Sequence, residues 1–118
     1  MISGIVIDRH AIIALNFLLP NGSTFPIEFV VDSGFTDDLC LPPEAVSLLG
    51  LPFLYDLPVN LADNSEILLS VHEANIIWNG EVRVLATGRR PLLGTALLEN
   101  YELVIQFTED GLVTIDEL

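Results

Sequence analysis

The chain has 118 residues, 51% of them apolar, with 17 Asp and Glu against 4 Lys and Arg, a formal net charge of −13. That length suits one domain, residues 1–118, and that apolar share excludes a disordered chain. Such an acidic balance, with Arg89-Arg90 the only adjacent basic pair, excludes phosphate-backbone binding, so no nucleic-acid partner is expected. The apolar run from Ala11 to Leu19 is interrupted by Asn16 and ends at Pro20, well short of the roughly 20 residues a bilayer span needs. No basic region precedes an apolar stretch at the start, so a soluble, cytoplasmic protein with no membrane partner is expected. The single Cys40 excludes an internal disulfide and a cysteine-based zinc cluster.

Turn signals recur at short intervals between apolar runs, which predicts an all-β chain with one or two short helices. The first run spans about His10 to Leu19, and Pro20-Asn21-Gly22-Ser23 turns it into a second, Phe25 to Val31. This hairpin leads directly into Asp32. Asp38 to Leu41 reads as a short strand stopped by Pro42-Pro43. Pro43 to Leu49, with Gly50 behind it, then has the Pro-first, Gly-last pattern of a short helix.

Leu57 to Ala62 and Glu66 to Val71 form a hairpin around Asp63-Asn64-Ser65, where Asn64 suits a positive φ. Ala74 to Trp78 and Glu81 to Ala86 form another around Asn79-Gly80, the strongest short-range hairpin signal in the chain. Thr95 to Asn100 reads as a short helix capped by Thr95. Tyr101 to Phe107 and Leu112 to Ile115 close the chain as a hairpin around Glu109-Asp110-Gly111. One internal echo stands out. An apolar pair feeds a glycine at Val30-Val31-Asp32-Ser33-Gly34 and again at Leu92-Leu93-Gly94, and only the first copy carries an acid.

Asp-Ser-Gly alone is an ordinary turn sequence, since Asp and Ser bond local backbone and Gly accepts positive φ. Its context is more specific. An apolar strand enters Asp32 from a hairpin, a candidate flap hairpin follows near Asn60 to Ser70, and Pro91-Leu92-Leu93-Gly94 precedes Ala96-Leu97-Leu98. In this order the chain resembles the retropepsin-like aspartic protease family in its small bacterial form, over roughly residues 10 to 107. Two departures stand beside the resemblance: bulky Phe35 follows Gly34, and the flap tip carries Asp63-Asn64 where viral members are Gly-rich.

The resemblance implies a retropepsin-like closed acid-protease barrel, homodimeric, acting as an aspartic-type endopeptidase on a peptide or protein substrate without a cofactor. Catalytic Asp32 of each subunit would form a dyad across one water, one carboxylate as base and the other, protonated, as acid. Ser33 would bond across the dimer, and Gly34 would donate its N–H to the carboxylate with no Cβ in the way. Val30 and Val31 would anchor the turn in the core, with Leu93 and Gly94 packed beneath. Leu61, Ala62, Asp63 and Asn64 would form the flap over the substrate.

Other residues read more plainly. Asp37-Asp38 reads as a solvated acidic loop, Cys40 as a buried small hydrophobe, and Trp78 and Phe107 as core or interface residues. Arg89-Arg90 reads as a surface turn, or as partners for an acid across the dimer. The isolated His10 and His72 lack a third ligand, so no metal is expected. Two other readings remain open. One is a catalytically weak or inactive dimeric peptide-binding or regulatory module of the same fold, motivated by the −26 a dimer would carry on doubling −13. The other is a plain β-domain without an active site.

Overall fold

The computed structural model describes all of residues 1–118. Strands hold 55% of them, which makes the chain all-β. In chain order these are β1 (Ile2–Ile7), β2 (His10–Leu18), β3 (Thr24–Val31), β4 (Leu39–Leu41), β5 (Phe53–Asn60), β6 (Glu66–Ile76), β7 (Gly80–Ala86), β8 (Leu92–Leu93), β9 (Tyr101–Ile105) and β10 (Leu112–Glu117). Two short helices interrupt them, α1 (Pro43–Leu49) and α2 (Thr95–Leu98). No helix is long and apolar enough to cross a membrane.

All ten strands join one sheet in the order β5-β6-β7-β4-β8-β3-β2-β1-β10-β9. A further pairing of β2 with β6, Phe17 opposite Ile76 and Leu18 opposite Asn75, brings the ladder back on itself through six strands. Alternation explains the interior. In β2 the buried residues are Ala11, Ile13, Leu15 and Phe17, and every second residue points away. Phe17 stacks on Phe29 of β3 with ring centroids 5.9 Å apart. Leu39, Leu41, Val82, Val84, Leu93, Val113 and Ile115 belong to the same core. No polar or charged residue is buried.

Several elements differ from the sequence expectations. Ile2–Ile7 forms a strand that no turn or alternation signal marked. It pairs with β2 and β10. The second strand of the expected flap hairpin and the first of the next are one continuous strand, β6, of 11 residues. The Asn79-Gly80 turn is a three-residue loop, Ile77 to Asn79, with Gly80 (φ 74°) opening β7 opposite Ile76. A loop of that length closed by a left-handed residue is the common alternative to a two-residue turn. Thr95 is the first helical residue of α2 and not its cap. Gly94 occupies the cap position, and Thr95 gives both its N–H and its hydroxyl to the Phe35 carbonyl. Helix α1 ends as its sequence implies, on Gly50 in the left-handed conformation.

Candidate active site

The echoed segments lie side by side. β3 and β8 are parallel neighbours, Val30 opposite Leu92 and Val31 opposite Leu93. The Val30 N–H donates to the Pro91 carbonyl and the Asp32 N–H to the Leu93 carbonyl, each at 3.0 Å. The ladder therefore continues one residue past β3 and fixes Asp32 at its end. The chain then turns sharply. Its Phe35 N–H donates to the Asp32 carbonyl at 3.1 Å, and the Gly34 N–H donates to Asp32 Oδ1 at 2.9 Å. A Cβ on Gly34 would stand 3.3 Å from that same oxygen, so the glycine leaves the carboxylate room. Ser33 and Gly34 are exposed, while Asp32 is half-buried.

Beneath the turn, Gly94 passes so close that an added Cβ would meet the Asp37 carbonyl at 2.0 Å and the Phe35 carbonyl at 2.7 Å. Its N–H donates to the Asp38 carbonyl at 2.8 Å. Leu93, fully buried, packs under the turn as expected. Val31 packs on the main core, whereas Val30 is half-buried and faces the other way. That corrects the expectation that both valines anchor the turn in the core. Asp38 is also not a solvated loop residue, since its Oδ2 accepts the Arg83 N–H of β7 at 3.0 Å. Asp37 beside it is exposed.

The face of the sheet that carries Val30 and Asp32 has its own apolar floor. Along it run Val30, Leu92, Cys40, Leu85 and Val71, each opposite the next in register. Cys40, Val71 and Leu85 are buried there by Phe35, Leu57, Leu69 and Leu92. Burial pushes the Cys40 thiol above its ordinary pKa. A hydrogen bond with the Leu92 backbone opposes this, and the nearby Asp32 charge adds to it.

The β5–β6 hairpin reaches over this floor. Leu57 opposite Leu69 and Val59 opposite Ile67 share the inward face. At its tip Leu61, Ala62, Asp63 and Asn64 are all exposed. Asp63 Oδ1 accepts the N–H and the hydroxyl of Ser65, which holds the Asp63 carboxyl below its usual range. Asn64 takes φ 66°, the conformation its residue type tolerates. The base of the hairpin is tied down by His72. Its Nδ1 donates to the Leu51 carbonyl at 2.9 Å, which requires the proton on that nitrogen, and Nε2 lies 3.1 Å from Ser70 Oγ.

Trp78 is half-buried and packs edge-on to Tyr101, with centroids 5.2 Å apart, while Phe107 is exposed and belongs to no core. No three His, Cys, Asp or Glu side chains converge as a metal-holding cluster. Phe35 of the turn and Leu57 and Leu69 of the hairpin thus cover one apolar cluster, whose Cys40 feels the charge of Asp32.

No protein-family model and no curated protein sequence matches the chain. Among solved structures the fold is similar to that of a retropepsin-like aspartic protease from Rickettsia conorii. The likeness covers 98% of this chain and 94% of that one, with a TM-score of 0.54 at 21% identity. At that identity it concerns the fold, and the chain's fold is retropepsin-like.

Proposed function

We propose that the chain is an aspartic-type endopeptidase that works as a homodimer built from two such domains, each a closed barrel, with Asp32 of each subunit forming the catalytic dyad. The observation that carries this reading is the Asp32 turn itself. A half-buried carboxylate, oriented by the Gly34 N–H, ends a strand whose ladder is locked to Leu93, beside an apolar cluster that the β5–β6 hairpin covers with Leu57 and Leu69. A single fixed carboxylate beside an apolar cluster suits a mechanism that needs two of them across a water.

In that mechanism the ionised carboxylate takes a proton from the water as its oxygen bonds to the scissile carbonyl carbon. The protonated carboxyl gives its proton to the carbonyl oxygen. Two acids held so close share one proton, so the pair titrates as a unit. The substrate is an extended peptide or protein segment lying between the turn and Leu61 to Asn64, its apolar side chains against the half-buried Val30 and Leu92.

The test is Asp32→Asn, which keeps the shape and the Gly34 contact while removing the base. Cleavage of a mixed peptide library by the wild type should fall by about 10²-fold or more, the scale of general acid–base assistance. Unchanged cleavage would sink the dyad, as would full activity of a monomer in ultracentrifugation. A dimer that binds a hydroxyl-bearing transition-state isostere yet cleaves nothing would favour the regulatory binding module instead.

A further inference from the structure

Arg90 is a cation without an acid. The chain offers 17 carboxylates to 4 basic side chains. Arg83 pairs with Glu81 at 2.8 Å and Arg9 lies 4.0 Å from Asp8, but Arg89 has no carboxylate within pairing distance, and neither has Arg90. Its Nη1 instead lies 3.1 Å from His10 Nε2. A guanidinium only donates, so His10 offers the lone pair of Nε2, and four of the five N–H donors of Arg90 are left outside that bond. Arg90 is exposed and His10 half-exposed.

The position of this pair matters. His10 opens β2 and alternates with the buried Ala11 and Ile13, so it lies on the face of Ile12 and Val30. Ile12 stands opposite Val30, and continuing that antiparallel register by two residues sets His10 opposite Asp32. Arg90 comes two residues before Leu92 on the other flank of β3. The parallel register sets Arg90 level with Glu28, so the Arg90–His10 contact crosses β3 obliquely and its His10 end is the one level with Asp32.

We propose that Arg90, steadied by His10, is a specificity-determining subsite that reads a carboxylate of the peptide lying across Asp32. The carboxylate comes from an Asp or Glu side chain or from a free C-terminus, and it takes the bidentate geometry a guanidinium offers. This rests on the peptide-cleaving reading of Asp32. A surface otherwise dominated by acids repels such peptides, and the unpaired guanidinium groups of Arg89 and Arg90 can admit one, Arg90 being the one held by His10.

The experiment uses peptide pairs that differ only by Glu against Gln at successive positions, and a second set with free or amidated C-termini. Cleavage efficiency is measured with the wild type, Arg90→Gln and Arg90→Glu, and binding is measured on Asp32→Asn, which leaves peptides intact. At one position the wild type should prefer Glu to Gln by about tenfold or more, the effect of a charge-assisted hydrogen bond. Arg90→Gln should erase that ratio, and Arg90→Glu should invert it in favour of Gln. If the ratio follows only C-terminal amidation, the carboxylate read is the terminal one.

A loss shared equally by Glu and Gln peptides in Arg90→Gln overturns the subsite. So does weakened self-association with the ratio intact, which would assign Arg90 to the interface. A Glu preference in binding to Asp32→Asn, with no cleavage by the wild type, upholds the subsite and removes the peptidase reading.

Discussion

Gly94→Ala should damage the protein more than any other glycine substitution near the candidate site. The added Cβ would stand 2.0 Å from the Asp37 carbonyl and 2.6 Å from Phe35 Cδ2. The Phe35 ring can turn aside, but the carbonyl belongs to backbone on both sides and must retreat until ordinary contact, near 3.4 Å, is reached. That movement strains two hydrogen bonds of 2.8 Å, Gly94 N–H to Asp38 and Thr95 N–H to Phe35. Overpacking costs about 1–3 kcal/mol and each weakened bond about 0.5–1.5, so a loss of about 4 kcal/mol is expected. Urea titration reads it directly. With a slope of about 2 kcal/mol per molar, the midpoint should fall by about 2 M. Gly88→Ala is the control, because Gly88 has φ 83° and nothing within 4 Å of an added Cβ, so it carries only the backbone cost of about 1 kcal/mol. If Gly94→Ala costs no more than that control, the close approach beneath the Asp32 turn is refuted.

The Cys40 thiol should be unreactive towards a disulfide reagent at pH 8 in the native protein and fully reactive in guanidinium. Because burial raises its folded pKa, its contribution to stability is present below the unfolded thiol value and is lost as pH rises through the folded one. The urea midpoint should therefore drop more between about pH 8 and 10 in wild type than in Cys40→Ala, and equal drops would remove the buried-thiol account. His72→Phe keeps a ring against Phe53 but deletes the bonds to Leu51 and Ser70. It should cost about 1–2 kcal/mol. Amide exchange should quicken in β5 and the first half of β6 well before β1 and β10, and uniform quickening would deny His72 its role at the hairpin base.

Most hairpins were legible because turn residues with a mechanism separate their strands. The missed and displaced elements have physical reasons. Ile2–Ile7 contains Gly4 mid-strand, a residue that reads as a break. Here it is a packing device: a Cβ at Gly4 would meet the Ile12 carbonyl at 1.9 Å, so β2 can approach only because the side chain is absent. The polar His72-Glu73 reads as a gap between two hairpins, yet β6 runs through it. The His72 ring is satisfied by Leu51 and Ser70, and the Glu73 N–H by the Pro52 carbonyl. Asp38 gave no signal at all, since a carboxylate that accepts a β7 backbone N–H depends on two segments 45 residues apart.

The candidate site was legible as a turn, and the structure adds why the turn holds only one acid. The echo of Val30-Val31 in Leu92-Leu93 is a parallel pair, and its register, carried two residues on, sets Gly94 beside Asp32. An acid there is sterically barred, because even a Cβ would run into the Asp37 backbone. Nor can the adjacent acids complete a dyad. One oxygen of Asp38 is held by the Arg83 N–H, and Asp37 is exposed on the loop whose carbonyl crowds Gly94. The close packing that fixes Asp32 thus removes the place a second carboxylate of the same chain would need. If the proposed dyad takes its other acid from a second copy, that copy must dock against a surface with a net charge of −13. Added salt should then raise activity at low protein concentration by screening the repulsion, whereas a site complete within one chain would respond to neither salt nor concentration.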